Sequence, residues 1–320
     1  MMNLLMHKRK ARVIMENTLS SPFKYIDGMK AELKNENTVC SSESIESARA
    51  KNILTDIDMH IMRAIYDYGI ANRNAVTAYI NNHADIPDSI KKPDYTRNFH
   101  NMVNHGILLR FTFLFGENST PNVYTLSAGA KKYMARIVGR GFAKKYRSPE
   151  IDPVSEPAGA LRLIAFNQFY MRLVTAGYSI KRTLYNYTLD SVLIDGIAQI
   201  NPSAKTGSPY YFTFLCLRNY SGWQTTYRKY LSTVFEKKEK LLIGAPTFVI
   251  IVESYLMAAE AERYRKTLDS NLSDINVYYL PDIMTLSDKP LDTVFYIKPD
   301  NGFSDYEEIP LCLGQTKKNP

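Results

Sequence analysis

Between Asp94 and Gly106 the chain carries polar residues of the kinds that read DNA bases. An arginine fork pairs with O6 and N7 of guanine, an asparagine amide with N6 and N7 of adenine, and a threonine methyl meets the methyl of thymine. Phe99, Met102 and Val103 recur at helical spacing. The positions off that stripe are Tyr95, Thr96, Arg97, Asn98, His100, Asn101 and Asn104. A face meant only for water usually carries Glu and Lys. This stretch has no Glu, and its one acid, Asp94, stands where it can cap the helix. A carboxylate beside a DNA phosphate would repel it, so the lack of one favours DNA contact.

Candidate phosphate contacts surround this helix. Lys91 and Lys92 precede it, Arg110 lies in the strand after it, Asn118 and Ser119 in the next turn, and Lys131 and Lys132 on the following helix. A second basic cluster, Arg136, Arg140, Lys144, Lys145 and Arg147, reads equally as a phosphate clamp or as a solvated face. Other chemistries find little material. The five histidines (His7, His60, His83, His100, His105) include no His-x-His pair. His100 and His105 are five apart, so on a helix they point in different directions. No tyrosine stands in a pattern that marks a nucleophile, and Gly139-Arg140-Gly141 is not a phosphate loop. We therefore expect no catalytic residue, no metal and no cofactor.

The distribution of charge agrees with this. The chain has 40 Lys and Arg against 32 Asp and Glu, a net +8 over 320 residues. Residues 51–147 carry 14 basic and 7 acidic residues, so almost all of the excess sits there. Such a segment attracts phosphates. Cys40, Cys216 and Cys312 are too few for a disulfide framework, which points to a reducing cytoplasm. The start of the chain lacks the apolar run and cleavage site of a signal peptide. Leu241 to Ala259 is long and apolar, but Pro246 and Glu253 interrupt it, so it reads as a buried strand followed by a helix.

The elements that must position these residues are legible by period and punctuation. Residues 1–50 read as a flexible basic and polar tail. Thr55-x-x-Asp58 opens a helix with Ile57, Ile61, Ile65 and Tyr68 on one face, and Gly69 closes it. A second helix fits Arg73 to Asn81, and a third runs from Asp94 to His105. The period then becomes two through Ile107, Leu109, Phe111, Phe113 and Phe115. Gly116 to Asn122 is a turn, Val123 to Leu126 the returning strand, and Ser127 caps a fourth helix to Val138. Three helices, a hairpin and a helix on a basic segment form the pattern of a winged helix-turn-helix, whose third helix enters the major groove. Residues 51–147 are expected to be this DNA-binding domain and to fold alone.

A proline-rich linker, Arg147 to Pro157, leads to an α/β domain over residues 158–320. An amphipathic helix at Leu161 to Ala176 comes first. Two strands follow between Ile180 and Ile200, then Tyr210 to Leu217, a helix from Trp223 to Leu242 and a strand from Thr247 to Glu253. A helix from Tyr255 to Leu268, a strand at Val277 to Leu280, another at Thr293 to Ile297 and a polar end complete it.

Four segments carry a resemblance: Leu54-Thr55-Asp56-Ile57-Asp58, Met102-Val103-Asn104-His105-Gly106-Ile107-Leu108, Val123-Tyr124-Thr125-Leu126-Ser127-Ala128-Gly129-Ala130 and Phe166-Asn167-Gln168-Phe169-Tyr170. On these segments the chain resembles the replication-relaxation family of plasmid and integrative-element proteins. The resemblance implies an α+β chain: an N-terminal winged helix-turn-helix followed by an α/β domain resembling a degenerate restriction-endonuclease-like fold. An active fold of that kind holds a divalent metal with an Asp on one strand and Glu-x-Lys on the next. Asp195 suits the first position, but Phe212 to Arg218 offers neither carboxylate nor lysine. The expectation is a sequence-specific double-stranded DNA-binding protein of a mobile element, not an enzyme. It would serve replication, mobilisation beside a relaxase, or transcription control, with 158–320 forming a homodimer or recruiting a partner such as a relaxase or replication protein. The alternatives are a metal-dependent nuclease that borrows Glu253 or Asp190, and a protein-interaction module.

Overall fold

The computed structural model describes residues 21, 23–82, 86–91, 94–138, 151–175, 179–201, 210–237, 247–286, 293–298, 303 and 305–310, arranged as a mixed α+β chain. The first part begins with β1 (Lys30–Leu33) and α1 (Ser42–Ala50). Next come α2 (Asp56–Tyr68), β2 (Ala71–Asn72), α3 (Arg73–Asn82) and α4 (Thr96–Asn104). The strands β3 (Leu108–Phe115), β4 (Asn118–Ser119) and β5 (Val123–Leu126), then α5 (Ala128–Val138), complete it. The strands form one antiparallel sheet in the order β1-β3-β5-β2, with β4 folded back on β3.

Local chemistry accounts for the boundaries. The Thr55 hydroxyl accepts the N–H of Asp58, and the Asp58 carboxylate accepts the N–H of Thr55, so the capping box is closed. Gly69 ends α2 at φ 73°, a conformation that favours glycine. Ser127 differs from the expectation. Its hydroxyl is buried without a hydrogen bond, and only its carbonyl supports α5, by accepting the N–H of Lys131.

Residues 21–50 correct the loose-tail reading. β1 pairs along β3 from Lys30↔Leu114 to Leu33↔Phe111. Phe23 and Met29 are buried against Ile70, Phe111, Phe113 and Val123. α1 packs on α5, and Gly129 permits it: a Cβ there would stand 1.8 Å from the Cys40 carbonyl oxygen.

The second part starts with α6 (Pro157–Thr175). A seven-stranded sheet follows, in the order β12-β11-β10-β9-β8-β7-β6. Its strands are β6 (Ser179–Leu189), β7 (Val192–Asn201), β8 (Tyr210–Leu217), β9 (Thr247–Val252), β10 (Val277–Pro281), β11 (Thr293–Lys298) and β12 (Asp305–Pro310). β8, β9 and β10 run parallel, and the remaining neighbours are antiparallel. Helices α7 (Trp223–Lys237) and α8 (Tyr255–Arg265) cover one face, and α6 the other. β9 shows why its sequence is apolar throughout. Phe248, Ile250 and Val252 pack towards α7 and α8, while Val249 and Ile251 pack with Phe166, Phe169 and Leu173 of α6.

The helix α6 is not amphipathic as expected. Leu161 and Ile164 pack with the first sheet, Phe166 and Phe169 with the second, and Met171 enters the core of α2–α5. Polar Asn167 is fully buried, and its Nδ2 donates to the carbonyls of Tyr68 and Ile70 at 2.8 and 2.7 Å. The two parts share this helix. A fragment ending at 147 would expose Ile70, Phe111, Phe113 and Val123, which argues against its folding alone. Among the described residues no helix is long and apolar enough to cross a membrane.

Candidate nucleic-acid interface

α4 is fixed at both ends and along its inner face. Asp94 Oδ1 accepts the Thr96 N–H at 2.8 Å, and the Thr96 hydroxyl donates to the same carboxylate. The hydroxyl chiefly, then the N–H, holds the Asp94 carboxyl below its ordinary value. Gly106, at φ 66°, turns the chain out of the helix. Phe99, Met102 and Val103 are buried, with the Phe99 ring 4.7 Å from that of Tyr124.

The outer face presents Arg97, His100, Asn101 and Asn104, all exposed. Their spacing of three, four and seven places them on one stripe. Asn104 Nδ2 lies 3.1 Å from His100 Nε2, so the two form a local pair.

Three other residues of the expected reading face are corrected. Tyr95 is fully buried, and its hydroxyl donates to Asn81 Oδ1 at 2.9 Å, tying α4 to α3. Asn98 is half-buried and donates to Asp58 Oδ1 at 2.8 Å, tying α4 to α2. Thr96 is exposed, but its hydroxyl is engaged by Asp94 and by Arg73 Nη1 at 2.5 Å. These residues place the helix; they do not extend from it.

The expected phosphate contacts are scattered. Lys91 pairs with Asp88 at 2.6 Å, and Lys92 lies outside the described residues. Arg110 is half-buried and donates to the Lys34 carbonyl at 3.1 Å, so it secures the chain after β1. Asn118 and Ser119 are exposed on β4. Lys131 is half-buried on α5, while Lys132 is exposed there and acts on the Glu43 carboxylate of α1. Arg136 pairs with Glu46 of α1 at 2.7 Å, which favours the solvated-face reading for this residue. Arg140, Lys144, Lys145 and Arg147 lie outside the described residues.

Asp195 is buried on β7. Its Oδ2 accepts from Arg162 Nη2 at 2.9 Å and from the Cys216 N–H at 2.7 Å. Burial opposes the charge on Arg162, but the ion pair prevails and holds its pKa above the ordinary value. The carboxylates considered as substitutes are engaged elsewhere. Glu253 Oε1 accepts the Tyr25 N–H at 2.5 Å and its Oε2 that of Asn219 at 3.3 Å. Asp190 pairs with Lys237. Among the described residues no three His, Cys, Asp or Glu side chains come close enough together to hold a metal.

Two further features are a strap and a cleft. Ser21 donates its hydroxyl to Asp282 at 2.8 Å, and Asp282 is paired at 2.9 Å with the fully buried Arg218. The apolar residues Phe23, Tyr25, Ile26 and Met29 are the signal of this strap in the sequence. The cleft lies between the start of α3 and the end of α6, and Arg73 and Arg172 line it.

No family model matches the chain, and neither the curated proteins nor the solved structures give a significant match.

Proposed function

We propose that residues 51–138 form a winged helix-turn-helix that binds double-stranded DNA, with α4 as the recognition helix. The observation that carries this reading is the exposed stripe of Arg97, His100, Asn101 and Asn104, free of carboxylates, on a helix anchored from behind by Tyr95 and Asn98. The order α2-β2-α3-α4-β3-β5, with β2 paired to β5, supports it. So does the charge excess of residues 51–147.

The second part is proposed as a nuclease-like core without catalysis. The run α6-β6-β7-β8-α7-β9, with β8 and β9 parallel, supports the fold. The pairing of Asp195 with Arg162 and the absence of Glu and Lys from β8 support inactivity. On this reading the protein recognises an element's own DNA in replication, mobilisation or transcription control, as a homodimer or beside a relaxase or replication protein. The test is binding of the full chain to duplex DNA at several salt concentrations. Affinity that falls steeply with salt supports the proposal, since each neutralised phosphate releases counterions. A folded chain that binds no duplex contradicts it.

A further inference from the structure

On the outer face of α4, Asn104 Nδ2 lies 3.1 Å from His100 Nε2, one helical turn away. Both side chains are exposed, and among the described residues no other side chain bonds to either. The backbone of Asn104 is held separately, its carbonyl accepting the Asn37 Nδ2 at 3.5 Å. An amide nitrogen only donates, so the ring nitrogen facing it is the acceptor. A neutral His100 that accepts at Nε2 carries its proton on Nδ1. The contact uses one of the two Asn104 amide hydrogens. The other N–H and Oδ1 remain available, a donor beside an acceptor. That pattern meets N7 and N6 of adenine.

A charged imidazole carries N–H at both nitrogens and cannot accept from Asn104. The amide then has to turn over, so that Oδ1 accepts from the ring and the NH2 group faces outward. Two donors no longer match the N6 amino group of adenine. We propose that His100 is a positioning residue for Asn104: the neutral ring holds the amide in the orientation that reads adenine, and protonation of the ring erases that preference. This rests on α4 being the recognition helix.

Other charges around α4 come from every side. Arg97 and His105 share the helix and are exposed. Asp58 of α2 is engaged by Thr55 and Asn98, and Arg73 of α3 by Thr96. Arg110 of β3 donates to the Lys34 carbonyl. Glu36 stands beside Asn37 in the segment that meets the Asn104 carbonyl. Changes in their ionisation alter affinity for any duplex. They cancel when two duplexes that differ at one atom are compared at the same pH.

The experiment makes that comparison with the full chain, at about pH 8 and about pH 5.5, a range that spans the charge change of an ordinary imidazole. Circular dichroism first establishes folding at both. One duplex is the preferred site selected from a random pool. In the others a single adenine is replaced by 7-deazaadenine, which lacks the N7 acceptor. Two variants accompany the wild type. His100→Gln offers Oε1 to the Asn104 N–H and does not titrate, and Asn104→Ala removes the amide. The wild type should favour adenine about tenfold at one position at the higher pH and lose that ratio at the lower. His100→Gln should keep the ratio at both values, and Asn104→Ala should show it at neither. A wild-type ratio that is the same at both values would overturn the proposal, as would an N7-dependent position that survives Asn104→Ala. Should His100→Gln not fold, the wild type and Asn104→Ala still decide between these outcomes. A wild type that binds no duplex sinks the reading of α4 and this inference together, whereas selective binding with a pH-independent ratio sinks this inference alone.

Discussion

Asn98 of α4 donates its side-chain amide to Asp58 of α2 at 2.8 Å, and the same Asp58 carboxylate accepts the N–H and hydroxyl of Thr55. One buried carboxylate thus closes the start of α2 and sets the rotation of α4. That rotation turns Arg97, His100, Asn101 and Asn104 outward.

Asp58→Ala removes a cap and a charge-assisted bond. It should cost about 2–4 kcal/mol in denaturant unfolding. Asn98→Ala should cost about 1 kcal/mol and leave base preference unchanged. A changed base preference with unchanged stability would return Asn98 to the reading face.

Gly129 and Gly196 lie where backbone or a ring comes close. A Cβ at Gly129 would meet the Cys40 carbonyl oxygen at 1.8 Å, and one at Gly196 would meet the Phe166 ring at 2.2 Å. Gly196→Ala should lose about 1–3 kcal/mol through overpacking. Gly129→Ala should lose more, because the obstacle is backbone. Melting temperatures equal to wild type would contradict the packing of α1 on α5 and of α6 on β7.

Arg162→Leu leaves Asp195 buried and unpaired, at a cost of about 3–5 kcal/mol. Adding Asp195→Asn should recover part of that loss, because Asn can still accept the Cys216 N–H. Neither the wild type nor Asp195→Ala should cleave DNA with Mg²⁺ or Mn²⁺. Metal-dependent cutting abolished by Asp195→Ala would make the second part a nuclease.

Burial raises the Glu253 carboxyl above its ordinary value, against the pull of Arg218 and the N–H groups of Tyr25 and Asn219. Neighbouring Asp282 is raised by burial in the same way. The folded chain therefore holds the Glu253 proton more tightly than the unfolded chain does. That contribution to stability is full below the unfolded pKa and is lost as pH rises through the folded one. The wild type should gain on Glu253→Gln as pH falls from 7 towards about 4.5. Denaturant midpoints at both ends of the range check this, and a wild type that loses stability relative to Glu253→Gln on acidification goes against it.

The helices α2 and α5 and the strands β5 and β8 were legible almost to the residue, because a capping box, glycine stops or runs of β-forming residues mark them. β1 was hidden for a physical reason. Lys30-Ala31-Glu32-Leu33 is an edge strand, largely exposed and defined only by its pairing with β3. β12 was missed on the same ground, as Asp305 to Pro310 carries three acids and a proline that argue against a strand. Among the site residues, Arg97, His100, Asn101 and Asn104 could be read from helical spacing. Tyr95 and Asn98 could not, since their partners Asn81 and Asp58 come from other helices. Nor could the cleft that Arg73 and Arg172 both line, which depends on how α6 docks.

The central claim is that α4 reads sequence, and selection of duplexes from a random pool by the full chain and by Arg97→Ala tests it most directly. The wild type should enrich a defined site. Arg97→Ala should bind that site about 1–3 kcal/mol more weakly and lose preference at one base position, with little change on scrambled duplex at matched salt. Equal losses on the selected and scrambled duplexes, or no enrichment by the wild type, would contradict the account.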